Sequence, residues 1–302
     1  KSLDNLPKGE ILGGTLAKGT SAGYWDREQQ PALLKHEILR HYLPKFVAKL
    51  ASTNRKVVLI DGYAGKGRYS TGVPGSALQI LEIASSLVTR LRKQVDVYLI
   101  ERDPETLMHL RVEVANFTSI EGLNVFVIEG DVADKLEEVV GTATRFPLFL
   151  FLDPCGLGLP FSKLSHILFT LRPSSGLDYA PTEILLNFSA EAVRRIGGHV
   201  TSPTSDAATL TRMDDTVGGG WWRHFYDGSF DKEQAETEVV KGYIDRLGVG
   251  ARMNMFAVPA KRELSHRPLY YLVFGTRHPQ GAWFFGDAVA RSTSTWRDAI
   301  ES

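Results

Sequence analysis

The stretch Val57-Val58-Leu59-Ile60-Asp61-Gly62-Tyr63-Ala64-Gly65-Lys66-Gly67-Arg68 decides how this chain is read. Its first four residues are aliphatic without polar alternation, which suits a strand buried on both faces, as in a parallel sheet. An acid closes the run, and Gly62, Gly65 and Gly67 follow. Glycines at the carboxyl end of such a strand let the backbone approach a ligand where a Cβ would intrude. Two phosphate-binding patterns are missed. Lys66 is followed by Gly67 rather than Ser or Thr, and Ser70 stands where a dinucleotide-binding turn has its third glycine.

Outward from this stretch the chain alternates in kind. Leu34, Ile38, Tyr42, Leu43, Phe46 and Leu50 predict a helix over 31–50, and the apolar residues of 76–91 predict another. Strands are expected at 95–100, 125–128, 148–152 and 183–188, with helices at 105–117, 132–140 and 161–171 between them. That rhythm implies right-handed crossovers and a Rossmann-like, doubly wound, mostly parallel sheet. From about 190 to 250 the pattern loosens into a helical insertion or cap, with few apolar residues to bury and one clear helix at 232–247. Two late strands, 253–258 and 269–275, flank a polar link containing His266, Arg267 and Pro268. A closing hairpin-like pair would make seven strands of class I methyltransferase type, whereas a dehydrogenase-type sheet would end in another crossover. The expected organisation is a flexible lead-in over 1–30 and one domain over 31–302.

Acids recur at the ends of the expected strands. Glu101 closes the second, 40 residues after Asp61, and could accept both hydroxyls of a ribose. The extra length lies in Tyr69–Gly75, a loop that could cover the site. Asp103, just before Pro104, suits a helix cap better than a ligand contact. Asp131 with Val132 closes the third strand, though a cap is an alternative there too. Asp153 and Pro154 follow the fourth strand, where a carboxylate oxygen and the following carbonyl can hold an amine in line for displacement.

The bulk composition excludes little. Lys plus Arg and Asp plus Glu each number 35 in 302 residues, so no global charge announces a nucleic-acid or membrane partner. A single cysteine, Cys155, rules out an internal disulfide and suits a reducing, cytoplasmic setting. The eight histidines show no metal-ligand spacing. Cys155 after Pro154 invites comparison with the nucleophile of cytosine C5-methyltransferases, but no partner motif follows the fifth strand and a packing role is preferred. Trp221-Trp222 could stack a base, although such a pair more often packs a helix onto a core.

The acid-and-glycine turns taken together resemble those of S-adenosylmethionine-dependent methyltransferases. In detail the chain resembles the three-Cys-motif partner family. The match runs through Trp25, Lys35, Asp61-Gly62-Tyr63-Ala64-Gly65-x-Gly67-Arg68-Tyr69, Gly72-x-Pro74-Gly75-Ser76, Ile100-Glu101, Asp153-Pro154-x-Gly156, Ile184-Leu185-Leu186-Asn187-Phe188 and a late Leu272-Val273-Phe274-x-Thr276-x-His278-Pro279. The resemblance implies S-adenosylmethionine held by Asp61, Gly62, Tyr63, Gly65, Gly67, Glu101, Asp131 and Val132, with Asp153 and Pro154 orienting the acceptor. It further implies a bacterial setting and a radical-type partner protein with three cysteines. Family members usually carry an aromatic residue where this chain has Cys155. The Asp-Pro-x-Gly turn is also similar to that of tRNA guanine-N2 methyltransferases, so the expected reaction is N-methylation, with a nucleic-acid base as one candidate acceptor. The rival expectation is a methyltransferase-like module that binds another protein without turnover.

Overall fold

The computed structural model describes residues 30–177, 179–203 and 205–301. The lead-in and Trp25 lie outside the described residues. In chain order the elements are α1 (Gln30–Ala51), β1 (Lys56–Asp61), α2 (Ser76–Leu91), β2 (Gln94–Glu101), α3 (Pro104–Val114), β3 (Leu123–Glu129), α4 (Val132–Thr142), β4 (Leu148–Leu152) and α5 (Phe161–Ser165). Then come β5 (Thr182–Phe188), α6 (Ala190–Gly197), α7 (Ala207–Val217), α8 (Lys232–Ala251), β6 (Asn254–Ala260), β7 (Tyr270–Thr276) and α9 (Pro279–Glu301).

Among the described residues, seven strands form one sheet in the order β3-β2-β1-β4-β5-β7-β6. The first five are parallel, while β7 runs antiparallel to both β5 and β6. This is the class I methyltransferase-type, Rossmann-like sheet that the closing strand pair led us to expect. Its order reverses between β1 and β4, and open α/β sheets bind ligands at the carboxyl ends of the strands beside such a switch point.

Alternate residues of the strands feed two cores. Val57, Leu59, Val97, Leu99 and Phe149 face α1, α2, α3 and α9. Val58, Ile60, Ile100, Leu150 and Ile184 face α4 through α8. Strands covered on both faces have no wet side, which is why β1 and β4 read as unbroken apolar runs. On the first face Tyr42 of α1 meets Phe274 and Phe285, whose rings stack with centroids 4.1 Å apart, while Phe46 packs on Tyr42 and Phe149.

The expectation that residues 190–250 hold few apolar groups fails. Met213, Val217, Trp222, Val239, Tyr243 and Leu247 are buried against the sheet, so α6, α7 and α8 build half of one covering layer. Ser, Thr and Asp gave that region a loop-like composition, yet Asp206 and Asp231 spend their carboxylates capping α7 and α8. The helix expected over 161–171 is present, but from His166 to Leu171 it widens to π-helical bonding. The terminal α9, unread in the sequence, closes the sheet against α1. No described helix is long and apolar enough to cross a membrane.

The sheet's amino-terminal edge is held by buried polar ties. Arg172 donates to the carbonyls of Ala143, Thr144, Phe146 and Pro181 and to the Thr182 hydroxyl. Burial lowers its pKa to about 10, with nearby Arg277 adding to the effect. Pro181 O keeps the Leu148 amide, but replacing Arg172 by leucine would take this donor from the carbonyls of Ala143, Thr144 and Phe146, at about 1–3 kcal/mol for each one that stays dry and unpaired. Arg172→Leu should therefore lose about 3–5 kcal/mol in denaturant unfolding; a loss under about 1 kcal/mol would show that water replaces the guanidinium.

Glu183 accepts hydrogen bonds from Tyr42 and, at 2.8 Å, from Thr276. Burial lifts its carboxyl from 4.5 to about 7 against those opposing bonds. The native state then keeps a proton that the unfolded chain releases between those values. This contribution to stability is full below about 4.5 and lost as pH rises through about 7. Melting temperature should fall across that window, and Glu183→Gln should reduce the slope. An identical slope in the variant would refute the assignment.

Candidate active site

The site is built where β1 ends beside β2 and β4. Gly62 N donates to the Phe151 carbonyl at 2.9 Å and Ala64 N to the Ile100 carbonyl at 3.0 Å, so the glycine loop is tied to both neighbouring strands. A Cβ at Gly62 would lie 2.6 Å from Leu152 Cδ2 and 3.0 Å from Val132 Cγ2, so only glycine lets the loop sit this close. Gly65 takes a left-handed φ of 64°, a conformation that favours glycine.

Asp61 is fully buried and organises this loop from behind. One oxygen accepts Tyr63 N at 3.0 Å and the other the Ser76 hydroxyl at 2.8 Å. Burial raises its carboxyl to about 7; those hydrogen bonds and Lys35 oppose the rise, and the nearby Asp153 charge adds to it. Glu101 stands at the loop's open side. Its two oxygens accept Gly65 N at 3.0 Å and Asp103 N at 2.8 Å, which fixes the carboxylate between two backbone amides. Asp103 caps α3 through Thr106 N, as its position before Pro104 implied.

Asp131 caps α4 through Ala133 N at 2.9 Å, and its other oxygen meets Arg102 at 3.4 Å. Val132 is buried against the Gly62 turn. Tyr63 is half-buried beside them; burial and then the Asp131 charge raise its hydroxyl pKa. The Tyr69–Gly75 segment forms a tight hairpin, with Arg68 bridging Pro74 and the Tyr69 ring buried near His36.

Asp153 lies across the switch point. Lys35, buried on α1, donates to its Oδ2, and Asn187 of β5 donates to its Oδ1 at 2.8 Å. Pro154 is buried, whereas Cys155 is exposed on the turn. Loss of hydration beside the turn, with the Asp153 and Glu101 charges adding to it, pushes its pKa up to about 11. A thiol kept protonated is a poor nucleophile. Trp222 is fully buried and donates to Asp214, so packing rather than base stacking is its role.

Three contributors had no role assigned from sequence reasoning: Lys35, Ser76 and Asn187. Lys35 carried a legible signal. Ile38, Leu39 and Tyr42 follow it at the i+3, i+4 and i+7 spacings of one helix face, so a lysine stood on a core-facing stripe. Ser76 and Asn187 stand in the motifs of the family resemblance, but what they do was not legible, because Asp61 and Asp153, their partners, are distant in the chain.

No family model matches the sequence, and no curated protein matches it either. Comparison with solved structures finds the O-methyltransferase from Bacillus cereus in complex with SAH, at 10% identity and a TM-score of 0.38, over 83% of this chain and 83% of that one. It also finds the SAH-bound Podospora anserina methyltransferase PaMTH1, at 12% identity and a TM-score of 0.35, over 81% of this chain and 87% of that one. The strand order, not these distant likenesses, establishes the fold.

Cys155 should resist alkylation despite its exposure. Iodoacetamide at mildly alkaline pH should modify it several-fold more slowly than free cysteine, because reaction requires the thiolate. A rate equal to or above that of free cysteine would reinstate it as a nucleophile.

Proposed function

We propose that the chain transfers a methyl group from S-adenosylmethionine to a nitrogen acceptor in the crevice between β1 and β4. The observation that carries this reading is the Glu101 carboxylate, clamped between the amides of Gly65 and Asp103 at the switch point. Each of its oxygens keeps a lone pair for a ribose hydroxyl. The glycine loop beside it allows close backbone approach, and acids follow three neighbouring parallel strands. Such a set suits a ligand carrying an ammonium, two hydroxyls and an amino-purine. When bound, S-adenosylmethionine supplies an electrophilic methyl carbon.

The chain's own residues supply the rest. Gly62, Tyr63, Gly65 and Gly67 would shape the floor, with Asp61 acting through the loop it orders or through a water. Asp131 and the Val132 amide would meet the adenine end. Asp153 and the Pro154 carbonyl would accept N–H bonds from the acceptor, because positioning and fixed charge supply most of the acceleration available to such a transfer.

The family resemblance belongs to the same proposal. Lys35, Asp61, Glu101, Asp153 and Asn187 are far apart in the sequence and fall along one edge of the sheet. A radical-type partner with three cysteines and a nucleic-acid base as acceptor extend that reading.

Calorimetry with S-adenosylhomocysteine should detect binding, and Glu101→Ala should weaken it by about 1.5–3 kcal/mol, the scale of hydrogen bonds to a charged group. No binding by the unaltered chain, or an unchanged affinity in the variant, would overturn the cofactor assignment. Asp153→Asn should abolish methyl incorporation into nucleic-acid and protein pools while cofactor affinity holds. Because that change leaves the Lys35 ammonium without its carboxylate, the double variant with Lys35→Met should be inactive too. Full activity in either would reduce the Asp-Pro turn to a structural role. Cys155→Ala should remain active; a folded, cofactor-binding but dead variant would favour covalent attack on a pyrimidine carbon.

A further inference from the structure

A narrow slot opens beside Asp153, between the Pro154–Leu159 turn and the helical layer. Its volume is about 20 Å³, the room of one water molecule. Asn187, Ser189, Thr216 and Tyr243 bring polar groups to a wall that is otherwise mostly apolar. Thr216 donates to the Arg212 carbonyl, and Ser189 caps α6 by accepting from Ala192 N. The other two are open. Asn187 Oδ1 is buried and accepts no hydrogen bond among the described residues. Tyr243 is buried, with its ring against Phe188 and Phe161 at centroid distances of 4.5 Å and 6.0 Å. Its hydroxyl makes no hydrogen bond among the described residues.

These two groups are complementary. Turning the Asn187 amide over would set its oxygen against the Asp153 carboxylate, so the nitrogen stays on Asp153 and the oxygen stays an acceptor. Burial raises the Tyr243 hydroxyl pKa above its ordinary value, so it keeps its proton and can donate. A buried water is held by about two to four polar partners in a space of its own size. Here it would accept from Tyr243 and donate to Asn187 Oδ1, an acceptor that is costly to bury unpaired. Asn187 in turn holds Asp153 Oδ1 at 2.8 Å, while the Lys35 ammonium holds Oδ2. A carboxylate gripped by one partner can swing about that contact, and the second partner fixes its plane.

We propose that one water occupies this slot as a bridge from Tyr243 to Asn187 Oδ1, which makes Tyr243 a positioning residue for Asp153. What the positioning serves rests on the methyl-transfer reading above. The bridge also gives the insertion a part in the crevice, since α8 reaches Asp153 through it.

Tyr243→Phe tests this by deleting one oxygen while keeping the ring packed on Phe188. Crystals of the full chain should show a water within hydrogen-bond distance of both Tyr243 Oη and Asn187 Oδ1, and crystals of the variant should lack it. In solution, hydrogen exchange of the Asn187 side-chain amide, followed by NMR on asparagine-labelled protein, should quicken at least about threefold in the variant, the scale of one net hydrogen bond. Exchange of the β4 backbone amides should stay the same. Methyl incorporation should fall by a similar factor, with S-adenosylhomocysteine affinity unchanged. A slot without water in the unaltered chain, or equal Asn187 amide exchange in both proteins, would overturn the bridge. Loss of protection throughout β4, or undiminished methyl incorporation, would overturn the positioning role. If S-adenosylhomocysteine binds neither protein, the methyl-transfer reading falls, while the water and the amide exchange still decide the bridge.

Discussion

A sheet covered on both faces leaves polar side chains almost nowhere to go but its two edges, and this constraint organises the molecule. Each interior strand position meets a helix, so a carboxylate in mid-strand would lose its hydration without finding a donor. At the amino-terminal edge the polar groups serve the fold: Arg172 gathers carbonyls and Glu183 ties β5 to α1 and β7. At the carboxyl-terminal edge Asp61, Glu101, Asp131, Asp153 and Asn187 hold loops that would otherwise be mobile. Most of their hydrogen bonds run to backbone amides or to one another. The loops are thus shaped before any ligand arrives, which is the condition for electrostatic preorganisation.

The Lys35–Asp153 pair is the costliest part of that edge. Taking an ammonium and a carboxylate out of water is weak evidence for stability, since a well-packed apolar pair of similar volume is often as stable or more so. Helix α1 is already fixed by Tyr42 and Phe46 in the aromatic core shared with Phe274 and Phe285. The ion pair is therefore not needed to dock the helix. What it does is bring a positive charge through the covering layer to one carboxylate beside the crevice.

Much of this was legible in the sequence because buried parallel strands leave an unmistakable record. The runs at Val57–Ile60 and Leu148–Leu152 have no polar alternation, and the acids closing successive strands mark the edge on which a site would lie. Less was legible where two partners are distant in the chain. Asn187 reads as one more strand residue until β5 is laid beside β4, and Ser76 as an ordinary first helical residue until Asp61 is seen to accept from it. The region after Phe188 misled for a different reason. Its capping and exposed residues set the composition, while the buried Val239, Val240, Tyr243 and Leu247 carry the structure at helical spacing. Periodicity was the better guide there than composition.

The arrangement also divides the crevice by charge. On the β1–β2 side, among the described residues, Glu101 is held by backbone amides, so its negative charge is oriented but not cancelled. On the β4–β5 side, Asp153 is balanced by Lys35, and at the far end Asp131 has Arg102 within 3.4 Å. A cationic cofactor of the kind proposed therefore finds uncancelled negative charge on the glycine-loop side. On the other side the single Lys35 ammonium stands between two carboxylates, Asp153 and the buried Asp61.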